Sequence, residues 1–237
     1  MPTNLNPMPP STVVVRPGAI TGLQDYMRAI YNTMAGGLAV TGVVAWLAYS
    51  QGLYQKIAGT PLMWVALLAP LAMVMFLSLR IQKMSLATAQ FTYWSYAALM
   101  GVSLAGIFLA YAHDSIARVF FITAGTFGAM SVYGYSTKTD LTRWGSFLIM
   151  GLFGVIIASV VNFFLNSSAL QFAVSVAGVI VFVGLTAYDT QKIKALYLDA
   201  DAGDTTGKKV VMGALTLYLD FINLFLMLLR LFGGRRS

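Results

Sequence analysis

The feature that most constrains this chain is a series of long runs with no charged residue. Residues 29–55, 57–79, 84–112 and 119–137 contain no Asp, Glu, Lys or Arg, and the shortest of these runs has 19 residues. A helix of about 20 apolar residues crosses the roughly 30 Å hydrocarbon core of a bilayer. Each of the four runs therefore predicts one transmembrane helix.

Two further runs complete the pattern. Residues 144–188 carry no charge over 45 positions, and one helix of that length would be about 67 Å long at 1.5 Å per residue. Asn166-Ser167-Ser168 is the strong turn signal inside this run, so it divides into a fifth and a sixth span. Residues 210–229 form a seventh span that Asp220 alone interrupts. The prediction is an all-α membrane protein with seven transmembrane helices.

Composition supports this class and excludes several others. Only 10% of residues are charged, Glu and Cys are absent, and 58% are hydrophobic, whereas about a quarter of a soluble domain is charged. The net charge of +7 is scattered, so no nucleic-acid interface is expected. Without thiols, and without the short motifs of hydrolases, metalloproteases or nucleotide-binding enzymes, we expect no catalytic residue and no enzyme activity.

The chain divides into a tail and one domain. Residues 1–24 contain five prolines and are predicted to be disordered, and residues 25–237 are predicted to form a single seven-helix domain. With alternating spans, ten Lys and Arg residues lie on the side of the N-terminus and five on the other. This predicts a cytoplasmic N-terminus. Three of the five follow span seven, so a re-entrant seventh segment is an alternative.

Asp220 is the strongest candidate for a functional residue. It lies ten residues inside the seventh span, where a charged side chain costs about 2.5–3.5 kcal/mol on insertion scales. Thr216 and Asn223 lie at i−4 and i+3 and extend it into one polar stripe on the helix. Such a carboxyl must be protonated, paired or beside water.

Asp189 ends span six, and Arg80 ends span two on the same predicted side. A helix end is the ordinary interpretation of Asp189. For the carboxyl groups of Asp189 and Asp220 to meet, the Lys192 side chain must extend from a buried position to the membrane surface, or helix seven must begin outside the bilayer.

Two strings resemble the Bax inhibitor-1/YccA family of transmembrane Bax-inhibitor-motif proteins, and the whole is similar to a bacterial member. They are Ala187-Tyr188-Asp189-Thr190-Gln191-Lys192-Ile193 and Leu217-Tyr218-Leu219-Asp220-Phe221-Ile222-Asn223-Leu224-Phe225. The resemblance implies two three-helix layers around a central C-terminal helix that crosses fully. It also implies a pH-sensitive calcium leak in the bacterial inner membrane, with Asp189 and Asp220 sharing a proton as the sensor. Arg80 matches the family's basic latch, and Lys83 competes for that role.

The chemistry of such a pair is simple. Two adjacent carboxyl groups in a low-dielectric site do not both ionise readily, so they share a proton. Carboxylates also suit Ca²⁺, so Asp189 and Asp220 are candidate transient calcium ligands, with calcium as the permeant ion and no resident cofactor. The expected partners are the lipid bilayer, calcium, protons and, in one interpretation, another membrane protein.

Two other functions remain open on the sequence. One is a proton-coupled secondary transporter, and the other is a non-transporting regulator of a membrane protease or stress pathway.

Three weaker signals have ordinary interpretations. His113 is expected in an exposed loop. Asp199, Asp201 and Asp204 are expected in a solvated loop and not in an EF-hand. The small residues Ala124, Gly125, Gly128 and Ala129 are expected in close helix packing.

Overall fold

A computed structural model describes residues 22–198, 201 and 203–236 of the chain. Most of the predicted disordered tail, residues 1–21, therefore lies outside the described residues, as does Asp199 of the acidic loop. The first helix begins at Leu23, which is two residues inside the predicted tail.

Helices make up nearly all of the described chain. They are α1 (Leu23–Ser50), α2 (Leu53–Ile57), α3 (Pro61–Arg80), α4 (Leu86–Leu104), α5 (Ile107–Ala110), α6 (His113–Ser136), α7 (Thr142–Leu165), α8 (Ser168–Ala195) and α9 (Gly203–Phe232), with a 3-10 turn at Ile81–Lys83. In the described chain, seven of these helices are long and apolar enough to cross a membrane. The predicted fold class is confirmed.

The predicted break in the 45-residue run is confirmed at the Asn-Ser-Ser turn. Helix α7 ends at Leu165, and Asn166 takes the left-handed conformation with φ 49°. Asn tolerates this conformation better than most residues because its short polar side chain bonds locally. The hydroxyl of Ser167 then accepts a hydrogen bond from the backbone N–H of Leu170 at 3.3 Å and caps α8.

The long helices pack in two layers around α9. In the first layer α4 packs against both α1 and α3, and in the second α8 packs against both α6 and α7. Helix α9 contacts α1, α4, α6 and α8. In its most apolar 18-residue window 72% of residues are buried, against 11% for α3 and for α7. Helix α9 is therefore the central helix, and α3 and α7 are the outer ones.

Hydrogen bonds between distant segments identify the two ends of the bundle. At one end, which we call the basic end, Gly22 N–H donates to Tyr197 Oη at 2.9 Å and Lys194 Nζ donates to the Tyr135 carbonyl at 2.8 Å. The start of α1 and the ends of α6 and α8 therefore lie together there. The described basic residues of this end are Arg28, Arg80, Lys83, Lys138, Arg143, Lys192, Lys194, Lys208 and Lys209.

The opposite end holds the C-terminal tail. Arg236 donates its backbone N–H to the Ala110 carbonyl at 3.1 Å and its side chain to Tyr49 Oη at 2.7 Å. Gly234 N–H donates to Ser115 Oγ at 2.7 Å. Because these partners lie at the ends of α1 and α5 and at the start of α6, helix α9 runs the full length of the bundle and is not re-entrant.

The expected close packing at the small residues of α6 is not found. A Cβ atom added at Gly125 or Gly128 would meet no atom within 4 Å among the described residues. Close approach occurs instead at Gly134, where an added Cβ would overlap the main-chain carbonyl of Ala187 on α8. Within the described chain, Gly125 and Gly128 therefore make no close helix contact, whereas Ala124 packs against the core.

Candidate functional site

Two aspartates meet between α8 and α9. The carboxyl groups of Asp189 and Asp220 are within hydrogen-bonding contact of each other. Asp220 is 5% exposed, and its Oδ2 atom has no hydrogen-bond partner among the described residues. Ionised carboxylates are acceptors only, so a hydrogen bond between the two groups requires that one of them carries a proton.

The lengths of the two helices explain how these residues come together. Asp189 lies six residues before the end of α8 at Ala195, and Asp220 lies 17 residues after the start of α9 at Gly203. Since the helices are antiparallel, α9 extends past the end of α8 by about 16 Å at 1.5 Å per residue. An early start of α9 thus reconciles the two sequence positions.

A cavity of about 330 Å³ connects the acid pair with the basic end. Asp189 and Thr216 line its inner part, and Gln82, Thr205 and Lys208 line its outer part. This volume lies at the lower limit of ordinary ligand pockets and is large enough for several water molecules. Asp189 therefore faces a space large enough for water, while Asp220 does not line it.

Lys192 is the basic residue whose charge acts on Asp189. It lines the cavity, is exposed, and lies 5.7 Å from the centroid of the Tyr188 ring. From the sequence alone, Lys192 indicates only how deep Asp189 lies in the membrane. Its place three residues after Asp189 on the same helix, where side chains are neighbours, is the signal that identifies it.

Arg80 and Lys83 are not part of this contact. Both are exposed at the end of α3 and in the turn that follows. In the described chain neither forms an ion pair, and it is Ile81 and Gln82 between them that line the cavity. The latch role of Arg80 stays a prediction, and the arrangement described here does not bring it to the acids.

The polar stripe of α9 bonds mainly to its own helix. Thr216 Oγ1 donates to the Met212 carbonyl at 3.0 Å, and Asn223 Nδ2 donates to the Leu219 carbonyl at 2.9 Å. The side chain of Thr216 also lines the cavity. These two side chains reduce the cost of polar groups in the interior and add no bond to a second helix within the described residues.

Gln191 fastens the α6–α7 loop to α8, a role that sequence reasoning missed. Its Oε1 accepts from the Leu141 N–H and its Nε2 donates to the Thr139 carbonyl, both at 2.9 Å. In the same loop, hydrogen bonds from Thr142 hold the pKa of the exposed Asp140 carboxyl below its usual range. The sequence signal for this role is the position of Gln191, two residues after Asp189 in the same motif.

The remaining candidates lie away from the acid pair. His113 is exposed as expected, but it is the first residue of α6 and not part of a loop. It lies at the opposite end, and the centroids of the Trp46, Tyr49 and Phe108 rings are within 6 Å of its ring. Asp201 forms an ion pair with Lys209 at 2.6 Å. The part of the chain that the structure describes contains no group of three or more acidic or His side chains that could hold a metal ion. Asp189 and Asp220 alone offer fewer oxygens than the six to eight that Ca²⁺ prefers.

Comparison with known proteins matches almost the whole chain. The family model described as "Inhibitor of apoptosis-promoting Bax1" matches residues 23–237. The chain is 50% identical over 232 residues to the inner membrane protein YbhL of Escherichia coli K12, covering 96% of this chain and 98% of that protein. It is 50% identical to the uncharacterized protein RP147 of Rickettsia prowazekii over 91% of this chain and 92% of that protein. An uncharacterized protein of Caulobacter vibrioides is 43% identical, with 91% of each chain covered.

Proposed function

Because this chain belongs to the Bax inhibitor-1 family, we propose that it is a pH-sensitive calcium leak channel of the bacterial inner membrane, controlled by the Asp189–Asp220 pair. The observation that carries the proposal is the contact of two carboxyl groups between the central helix and α8, at the inner end of a cavity. The location is proposed from the inner-membrane relative, and the nine basic residues of the basic end support a cytoplasmic location for that end and for the N-terminus.

The shared proton acts as a tie between two helices. While it is present, a hydrogen bond joins α8 to α9. When it leaves through the cavity, two like charges face each other in a poorly solvated site and repel. The charged group that acts on the pair from α8 is Lys192, and Lys208 and Lys209 of α9 line the outer part of the same cavity. Deprotonation therefore favours separation of α9 from α8, and the freed carboxylates offer oxygen ligands to an entering Ca²⁺.

The test is calcium flux from liposomes that contain purified protein, measured between pH 5 and 8. We expect the flux of the wild type to rise several-fold with pH. The variants Asp189→Asn and Asp220→Asn should show low flux at every pH, because an amide donates the hydrogen bond of a protonated carboxyl and cannot lose its proton in this range. Asp204→Asn, which changes an exposed acid of the same helix α9, is the matched control.

Wild-type pH dependence in both Asn variants would contradict the proposal. Flux that saturates with a substrate and requires a proton gradient would instead support a proton-coupled transporter, because buried acids also serve proton relays. A purified protein without flux at any pH, which retains a specific membrane-protein partner, would support the regulatory function.

A further inference from the structure

A second buried polar contact holds the central helix. The Oη of Tyr218 on α9 lies 2.6 Å from Oγ1 of Thr41 on α1, and this Oγ1 donates its proton to the Ala97 carbonyl of α4 at 2.8 Å. Since the Thr41 hydroxyl has one proton, Tyr218 is the donor in the first bond. The chain of bonds therefore joins α9 to both inner helices of the first layer.

The surroundings of this contact are apolar and closely packed. Tyr218 is fully buried and Thr41 is 4% exposed. The rings of Tyr96 and Tyr93 meet the Tyr218 ring edge-on, with centroids 5.3 and 6.4 Å away. The titratable groups that face Tyr218 in the described chain are these two tyrosines of α4, with no charged group beside them. Buried away from water, the bond costs more to break than an exposed one.

Tyr218 and Asp220 point to opposite layers. Two residues along an α-helix correspond to a rotation of about 200°. Asp220 contacts Asp189 of the second layer, whereas Tyr218 contacts Thr41 of the first layer. In the interior of the described bundle, the central helix therefore has one buried polar contact to each layer, only two residues apart. Of the two, only the acid pair loses a proton in the proposed gating.

We propose that the Thr41–Tyr218 hydrogen bond is an anchor that keeps α9 on the first layer while the acid pair releases α8. The anchor rests on the proposed function. It makes Tyr218 and Thr41 positioning residues for the gate, because repulsion between the acids then moves the second layer away from α9. Without the anchor, α9 relieves the repulsion by shifting toward or along the first layer, and the gap beside α8 stays small.

Distances between spin labels test this directly, since the chain has no cysteine and each label needs only an introduced one. Ala195 on α8, Thr205 on α9 and Gln24 on α1 are exposed at the basic end. One sample carries Ala195→Cys with Thr205→Cys, and the other carries Gln24→Cys with Thr205→Cys. In liposomes the first distance should increase between pH 5 and 8 and the second should stay constant.

The variant Tyr218→Phe removes only the donor hydroxyl. In it, we expect the α1–α9 distance to become pH-dependent, the α8–α9 change to shrink, and the rise of calcium flux with pH to lose amplitude. Thr41→Ser keeps a hydroxyl and should behave as the wild type. A merely structural role would lower thermal stability and leave both distance changes as they are. If Tyr218→Phe does not fold, Thr41→Val removes the acceptor instead.

The outcomes separate the two proposals. Equal changes of the α1–α9 and α8–α9 distances in the wild type, or unchanged distances in Tyr218→Phe, overturn the anchor alone. A wild-type α8–α9 distance that is constant from pH 5 to 8 overturns the gating function and the anchor with it.

Discussion

At the scale of single residues, the two acids differ in what surrounds them. Asp189 lines the cavity and lies within reach of the Lys192 charge, whereas Asp220 is enclosed and has Asp189 as its polar neighbour. A proton that leaves the pair therefore passes Asp189 first. In the proposed gate the two acids titrate as a unit, and Lys192 is the accessible side chain through which the proposed pH response can be altered.

Replacing Lys192 with Gln removes the positive charge nearest the pair. The doubly negative form then loses its stabilising neighbour, so we expect the proposed calcium leak to open at a higher pH than in the wild type. The shift should be small, because Lys192 is exposed and water screens its charge. Flux titrations of Lys192→Gln beside Lys138→Gln, an exposed lysine of the same end, measure it. A shift to lower pH would contradict the assigned role of Lys192.

The sequence identifies Asp220 because a charge in an apolar helix is visible in the sequence itself. It does not identify the Thr41 partner of Tyr218 or the exposure of Arg80. Those depend on which helix faces which and on the direction in which each side chain points. Lys192 and Gln191 were visible in the motif, but their roles depend on a cavity and on a loop from another part of the chain.

At the scale of helices, the crossing of α6 and α8 supports the site most directly. Gly134 lies against the main chain of Ala187, two residues before Asp189. Only a residue without Cβ fits there, because the obstructing atoms belong to backbone and cannot rotate away. The crossing fixes the part of α8 that presents Asp189 to the central helix.

Gly134→Ala should push α6 away from α8. Overpacking of this kind costs about 1–3 kcal/mol, so we expect a lower midpoint of thermal unfolding in detergent and a weaker pH response of the proposed leak. Gly128→Ala is the matched control on the same helix, because its Cβ meets open space. It should be neutral or stabilise by up to about 1 kcal/mol. Equal stability of the two variants would show that the crossing tolerates a methyl group.

The seven spans were predictable because uncharged length and a turn signal are local properties. The short helices α2 and α5 were not predicted, since four or five residues carry too little periodicity to indicate a helix. Whether the small residues of α6 pack against another helix could not be predicted from the sequence either. A small side chain permits close packing, but only the neighbouring helix decides whether packing occurs.

At the scale of the whole molecule, charge separates the two ends. Of the described Lys and Arg residues, nine lie at the basic end and five lie at the other end. Three of these five lie in the last turn of α9 or after it. Because α9 crosses the bundle fully, the C-terminus lies at the end opposite the N-terminus. The excess at the basic end is expected to place that end in the cytoplasm.

Reporter fusions test this orientation. Alkaline phosphatase fused after Ser237 should be active, because that enzyme folds outside the cytoplasm, and a fluorescent protein at the same place should stay dark. Fusions at the N-terminus should give the reverse. An active N-terminal phosphatase would show that the three tail arginines outweigh the nine basic residues.

The direction of the helices in the two layers has a consequence for the sidedness of the protein. The first layer starts at the basic end, the second starts at the other, and both follow the same packing order, with the third helix between the first two. Each half is thus built like the other half turned upside down. A scaffold of this kind has little intrinsic preference for either face of the lipid, so its insertion depends on a few loop cations and on an odd final helix.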